Sequence, residues 1–182
     1  PQLLSYYEEN EQGRISQIII FLKEEKSVAL VSNAGTPTIS DPGYKLVREC
    51  INENIPVESI PGPSSVLTAL TSSGLPTDKF LFFGFLPKKE GKRKQILESL
   101  PKKTTIIFFE SPFRLLKTLK DLKDNFGDID IVVCRELTKV FEEVRREKIS
   151  TSINHFVEVR PKGEFTFLSL LIKDSTLFLA SC

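Results

Sequence analysis

The stretch that most constrains this chain is Ser32-Asn33-Ala34-Gly35-Thr36-Pro37, running on through Ser40-Asp41-Pro42-Gly43 directly after the apolar run Val28-Ala29-Leu30-Val31. A β-branched apolar run of this kind reads as a buried strand, and the Gly/Pro/Ser/Asp/Asn-rich stretch after it cannot continue one. The expectation is a long loop at the carboxyl end of a strand, the place where open α/β sheets bind small ligands. Ordinary βα loops run about 2–6 residues. The length of this one, and its small side chains, favour a ligand site over a plain connection, since small residues let a ligand approach the backbone closely.

The pattern repeats along the chain. Residues Gly13 to Lys26 set Ile15, Ile18, Ile19 and Leu22 at helical spacing, and Tyr44, Leu46, Val47, Cys50 and Ile51 mark a second helix. Pro56 to Ile60 reads as a short strand ending in Pro61-Gly62-Pro63-Ser64-Ser65, followed by a helix through Val66, Leu67, Ala69 and Leu70. Ser64 or Ser65 is a natural N-cap, so the free amides of that helix start can face a ligand. Strand, loop and helix in alternation imply an α/β fold with a mostly parallel sheet. Gly74-Leu75-Pro76-Thr77-Asp78 interrupts the periodicity and divides the chain into residues 1–77 and 78–182. In the second part, strands are expected at Phe80–Phe85, Thr104–Phe109, Ile129–Cys134 and Phe165–Ile172. Helices are expected near Lys92–Leu100 and Phe113–Asn125, and most of the 14 phenylalanines fall in these strands and can build a core.

Lys and Arg number 25 against 24 Asp and Glu, so any affinity for a polyanion must come from local clustering. One cluster exists. Lys88-Lys89-Glu90-Gly91-Lys92-Arg93-Lys94 carries five cations in seven residues, readable as an anion-attracting patch or as a solvated helix start. Aromatic residues of the kind that stack bases are missing inside it. Two further clusters follow apolar strands: Glu110-Ser111-Pro112-Phe113-Arg114, with Pro at a permitted first helical turn, and Arg135-Glu136-Leu137-Thr138-Lys139 with Glu142-Glu143 and Arg145-Arg146 beyond. In the first, placement at a strand's carboxyl end favours a site role, while N-capping alone explains Ser111; in the second, the charges either pair with one another or position a polar substrate. Cys50, Cys134 and Cys182 show no CxxC spacing, which excludes a dense disulfide framework, argues against zinc, and fits a reducing cytoplasm. Cys134, within an apolar run, reads as a buried small side chain. His155, the single histidine, has no GxSxG elbow and reads as a surface or helix-end residue. No GxGxxG or GxxxxGK[ST] signals a dinucleotide or P-loop site, no metal is called for, and no apolar stretch approaches the roughly 20 residues of a membrane span.

Taken in order, these stretches resemble the ribosomal RNA small subunit methyltransferase I family, within the tetrapyrrole methylase superfamily. The likeness is carried by Ser32 to Gly43, Pro61 to Leu70, Ser73-Gly74-Leu75-Pro76, Gly84-Phe85-Leu86-Pro87-Lys88, Glu110-Ser111-Pro112, Arg135 to Lys139, and Gly163-Glu164. The resemblance implies two α/β domains with S-adenosylmethionine in a cleft between them, and methyl transfer to the ribose 2′-hydroxyl of a cytidine in 16S ribosomal RNA. It also implies a homodimer working in the cytoplasm. Carried over by position, Asn33, Ala34, Gly35, Thr36, Ser64, Ser65 and Cys134 would lie against the methyl donor. Lys88, Lys89, Lys92, Arg93 and Lys94 would meet RNA phosphates, and Glu110, Glu136 and Lys139 are the candidates for assisting the chemistry. The family carries Asp where this chain has Asn33, which implies weaker donor affinity. It also begins with an earlier strand, loop and helix, so a chain starting at Pro1 and lacking methionine is expected to be truncated at its front. A precorrin-type tetrapyrrole methyltransferase and a non-catalytic remnant are the alternatives.

Overall fold

The computed structural model describes residues 2–171; Ile172 and Cys182 lie outside them. The contacts divide the chain into two units, residues 1–64 and 65–182. The division falls before the Gly74–Asp78 turn because the helix opening at Ser65 packs on the sheet of the second unit.

The first unit is built on α1 (Glu11–Lys23) and α2 (Tyr44–Asn52). Ile15, Ile18 and Ile19 of α1 bury against Leu46 and Cys50 of α2, with Leu4, Tyr6, Leu22 and Ile55 packed around them. The strands expected at Val28–Val31 and Pro56–Ile60 do not form. A strand exists through its ladder with a neighbour, and among the described residues neither stretch makes a backbone hydrogen bond. Val28, Val31, Val57 and Ile60 are accordingly exposed.

What fixes the carboxyl end of the small-residue loop is a buried carboxylate. Glu11 accepts hydrogen bonds from the Tyr6 hydroxyl at 2.9 Å and the Gly43 amide at 3.1 Å, and pairs with Lys45 Nζ at 2.8 Å. Gly43 sits at φ +132°, and a Cβ there would lie 2.5 Å from Leu30 Cδ2, so only glycine closes the loop onto α2. The Lys45 bond holds the Glu11 carboxyl below its ordinary value of 4.5 against the opposing effect of burial.

The second unit is a five-stranded sheet, β1 (Phe80–Phe85), β2 (Thr105–Glu110), β3 (Asp130–Arg135), β4 (Glu143–Lys148) and β5 (Phe165–Leu170), in the order β1-β2-β5-β3-β4. Only β1 and β2 pair in parallel; β5 is antiparallel to both β2 and β3, and β4 is antiparallel to β3. The expected mostly parallel sheet is corrected here. The short β3–β4 connection makes a hairpin, and a hairpin forces antiparallel pairing. β4 escaped the sequence reading because Glu-Val-Arg-Arg-Glu-Lys reads as a charge run. It is a strand because its charges pair, Arg145 with Glu143 at 3.2 Å and with Glu147 at 2.8 Å, and Lys148 with Asp130 across the ladder at 2.9 Å.

Side chains alternate across the sheet, as strand geometry requires. Ile106, Phe108, Ile131, Val133, Phe165 and Phe167 face α4 (Glu90–Ser99), α5 (Leu115–Phe126) and α6 (Ile149–Glu158), through Leu97, Leu115, Leu119, Ile149 and Phe156. On the other face, Ile107, Val132, Cys134 and Leu168 receive Val66, Ala69 and Leu70 of α3 (Ser65–Ser73).

All the tyrosines, Tyr6, Tyr7 and Tyr44, lie in the first unit and the chain has no tryptophan, so tyrosine fluorescence reports that unit alone. Glu11→Gln should lower its stability at pH 7 by about 1–3 kcal/mol in urea, because buried donors lose a charged acceptor. Since the folded carboxyl is held below 4.5, the stabilisation is full above that pH and is lost as pH falls through and below it. The gap between parent and variant should shrink over the same range. Equal unfolding midpoints at pH 7 would contradict this role.

Candidate functional site

In the first unit the two small-residue loops meet. The Thr36 hydroxyl donates to the Pro63 carbonyl at 2.8 Å, and the Ser32 hydroxyl donates to the Ala34 carbonyl at 3.1 Å, folding the loop back on itself around Gly35 at φ +69°. Asn33, Ala34 and Gly35 are exposed. Among the described residues, none of their amides is used in a backbone hydrogen bond. Exposed, unspent N–H groups on a loop of small side chains suit a polar small molecule. Ser64 ends this loop, and Ser65 is the first residue of α3 in the second unit.

The second candidate region follows from strand polarity. β2 and β3 both run against β5, and β1 runs with β2, so the carboxyl ends of β1, β2 and β3 share one edge of the sheet. At that edge the backbone after β1 is held by two guanidinium groups. Arg114 donates to the Leu86 carbonyl at 2.7 Å, while Arg93 donates to the carbonyls of Pro87 and Lys88, each at 3.0 Å. Arg93 is 2 % exposed and pairs with Asp121 of α5. This corrects the expected phosphate contact at Arg93: its charge is spent inside the protein. Lys88, Lys89, Lys92 and Lys94 remain exposed around it.

Glu110 is placed differently from the expectation too. Its carboxylate is fully buried, accepting from the Ser111 amide at 2.8 Å and the Thr118 hydroxyl at 2.5 Å, with Arg114 at 3.4 Å. A carboxylate closed off in this way cannot reach a substrate proton. It aims Arg114 and starts α5, a positioning role. The pairing of Arg114 with Glu110 went unread in the sequence, although their i,i+4 spacing could have signalled it, and nothing in the sequence signalled Thr118 or Asp121.

Glu136 and Lys139 lie together beyond β3. Glu136 accepts from the Glu164 amide and from Lys139 Nζ, at 2.8 and 3.1 Å, and Lys139 also reaches Glu164 at 3.1 Å. Gly163, at φ +89°, is packed so closely that a Cβ would sit 2.6 Å from the Glu136 side chain. The Glu164 amide, seconded by Lys139, holds the Glu136 carboxyl below its usual range, and the two carboxylates raise the Lys139 ammonium above its own. Glu136 is thereby a weak base and Lys139 a fixed cation. Cys134 sits fully buried under α3, and burial pushes its thiol up to about 11. Its side chain belongs to the core, which corrects the expectation of a donor contact there. His155 lies at the end of α6, 3.8 Å from Glu143.

Residues 5–152 match the tetrapyrrole (corrin/porphyrin) methylases. The chain belongs to that family. It is 49% identical over 165 residues to the Thermotoga maritima protein named ribosomal RNA small subunit methyltransferase I, covering 90% of this chain and 74% of that protein. It is 45% identical over 168 residues to the Halalkalibacterium halodurans protein of the same name, covering 92% and 58%. The Bacillus subtilis protein of that name is 44% identical over 164 residues, covering 90% and 56%. The chain thus spans between about half and three quarters of these relatives' length. Solved tetrapyrrole methylases share the fold: the uroporphyrin-III C-methyltransferase of Thermus thermophilus has a TM-score of 0.63 at 19% identity, covering 88% of this chain and 72% of that one. A cobalt precorrin-4 methyltransferase has a TM-score of 0.61 at 17% identity, covering 87% and 70%.

For this methylase, Glu110→Ala should cost about 1–3 kcal/mol in equilibrium unfolding, because the partly buried Arg114 and the buried Thr118 lose their shared acceptor. Circular dichroism in urea measures it. An Ala variant as stable as the parent would return Glu110 to the list of candidate bases.

Proposed function

We propose that this methylase transfers a methyl group from S-adenosylmethionine to the ribose 2′-hydroxyl of a cytidine in 16S ribosomal RNA. On this reading it works as a homodimer on the small ribosomal subunit in the cytoplasm. The observation that carries the reading is the 49% identity, over 90% of the chain, to a protein named ribosomal RNA small subunit methyltransferase I. Among the described residues no helix is long and apolar enough to cross a membrane.

The residues of the first unit fit the donor. Asn33, Ala34 and Gly35 offer unspent amides, the Asn33 amide side chain offers an acceptor oxygen, and Thr36 holds the loop to Pro63. Asn33 to Thr36 and Ser64 would hold the cofactor. When bound it supplies a methyl group already activated by its sulfonium charge, so the protein's contribution is mainly alignment. In the second unit, Lys139 is the candidate that stays charged, and its ammonium has one more donor than the two carboxylates it meets. That donor would polarise the ribose hydroxyl, while Glu136 keeps the lysine aimed. Lys88, Lys89, Lys92 and Lys94 would neutralise phosphates.

Tritiated methyl incorporation into small ribosomal subunits tests this reading. Lys88→Glu with Lys89→Glu should reduce incorporation by about tenfold or more at moderate salt, through lost phosphate contacts. Calorimetric affinity for S-adenosylmethionine should stay unchanged, since neither lysine is among the residues expected to lie against the methyl donor. Undiminished incorporation would remove the phosphate-docking role, and no incorporation by the parent chain would count against the reading itself.

A further inference from the structure

The lysine cluster after β1 contains no aromatic residue, yet the topology supplies aromatics beside it. Phe113 follows β2 and is 89% exposed; Phe141 precedes β4 in the β3–β4 connection and is 70% exposed, next to Val140 at 92%. In contrast, Phe108, Phe156, Phe165 and Phe167 are buried in the core. Water-facing rings on two separate turns add nothing to the packing of this unit.

These turns stand at the same sheet edge, because β2 and β3 run in one direction on either side of β5. Their strand ends are two strand spacings apart, about 10 Å. Arg114, the residue after Phe113, bonds the Leu86 carbonyl, so the Phe113 turn is tied directly to the loop that carries Lys88 and Lys89. The acids nearby are already engaged: Glu142 accepts from the Thr138 amide at 2.5 Å, and Glu164 pairs with Lys139. The edge therefore presents exposed lysines at one end, of which Lys94 also pairs with Glu98 at 3.9 Å, then an exposed ring, then a second exposed ring.

We propose that Phe113 and Phe141 are stacking platforms for unpaired nucleotides of an RNA strand whose phosphates lie on Lys88, Lys89, Lys92 and Lys94. The inference rests on the proposed action on ribosomal RNA and adds to it the form of the substrate. A paired helix keeps its base faces covered, whereas an unpaired segment offers π-faces to aromatic side chains. Charge selects RNA, and the rings select unpaired RNA.

Fluorescence anisotropy with a short labelled single-stranded oligoribonucleotide, and with the same sequence in a duplex, provides the test on the chain as it stands. The parent should prefer the single strand. Phe113→Ala and Phe141→Ala should each weaken single-strand binding about fivefold or more, leaving duplex binding unchanged. The slope of affinity against salt should be kept, because no phosphate contact is touched. Phe113→Trp should retain affinity, and both rings are exposed enough for the variants to fold, which circular dichroism checks. Single-strand affinity within twofold of the parent in the double Ala variant would overturn the inference alone. So would a double variant that only converts a dimer to a monomer in sedimentation, since the rings would then belong to a contact between two copies. A parent chain that binds neither RNA form at low salt would overturn the ribosomal RNA reading together with the inference.

Discussion

β5 is paired on both sides, against β2 along six residues and against β3 along four, and antiparallel to each. That arrangement decides where the chemistry of the second unit can be. With β5 reversed between them, β2 and β3 deliver their carboxyl ends to the same edge, and β1, parallel to β2, adds its own. Charged and exposed residues that are far apart in sequence become neighbours along one line. Had β5 been parallel, Glu164 would lie at the opposite edge and the tie between Gly163, Glu136 and Lys139 could not exist.

Along that line the charges divide into two kinds. Arg93, Arg114 and Glu110 are buried or nearly so, and each is met by several partners. A buried ion costs several kcal/mol to desolvate, and these offset the cost by holding three successive carbonyls of the loop from Leu86 to Lys88. The lysines of the same segment are solvent-facing, and Lys94 also pairs with Glu98. One seven-residue run thus contains both a rivet and the exposed lysines proposed to meet phosphates, in adjacent positions.

This division marks what was legible in the sequence. The strands at β1, β2, β3 and β5 and most of the helices followed from apolar spacing, and the meeting of the two small-residue loops through Thr36 and Pro63 did not. The strands expected at Val28 and Pro56 failed because periodicity reports a tendency to be extended, while a strand also needs a neighbour to bond. β4 was hidden for the reverse reason, since its charges are satisfied by neighbours along one face of the strand and by Arg135 and Asp130 on β3, so a charge run stands as a strand. Arg93 and Lys92 are both cations in the sequence; Asp121, on another helix, and the carbonyls of Pro87 and Lys88 together hold the Arg93 guanidinium inward. Cys134 shows both sides, correctly readable as a core residue from its apolar run and misplaced when carried over as a ligand contact.

The central claim is that the carboxyl edge of the sheet meets RNA, and hydrogen–deuterium exchange with and without small ribosomal subunits addresses it most directly. Protection should appear at residues 86–89, 111–114 and 136–142, the turns after β1, β2 and β3. Protection confined to residues 101–104 and 127–129, which lead into β2 and β3 at the other edge, would contradict the account.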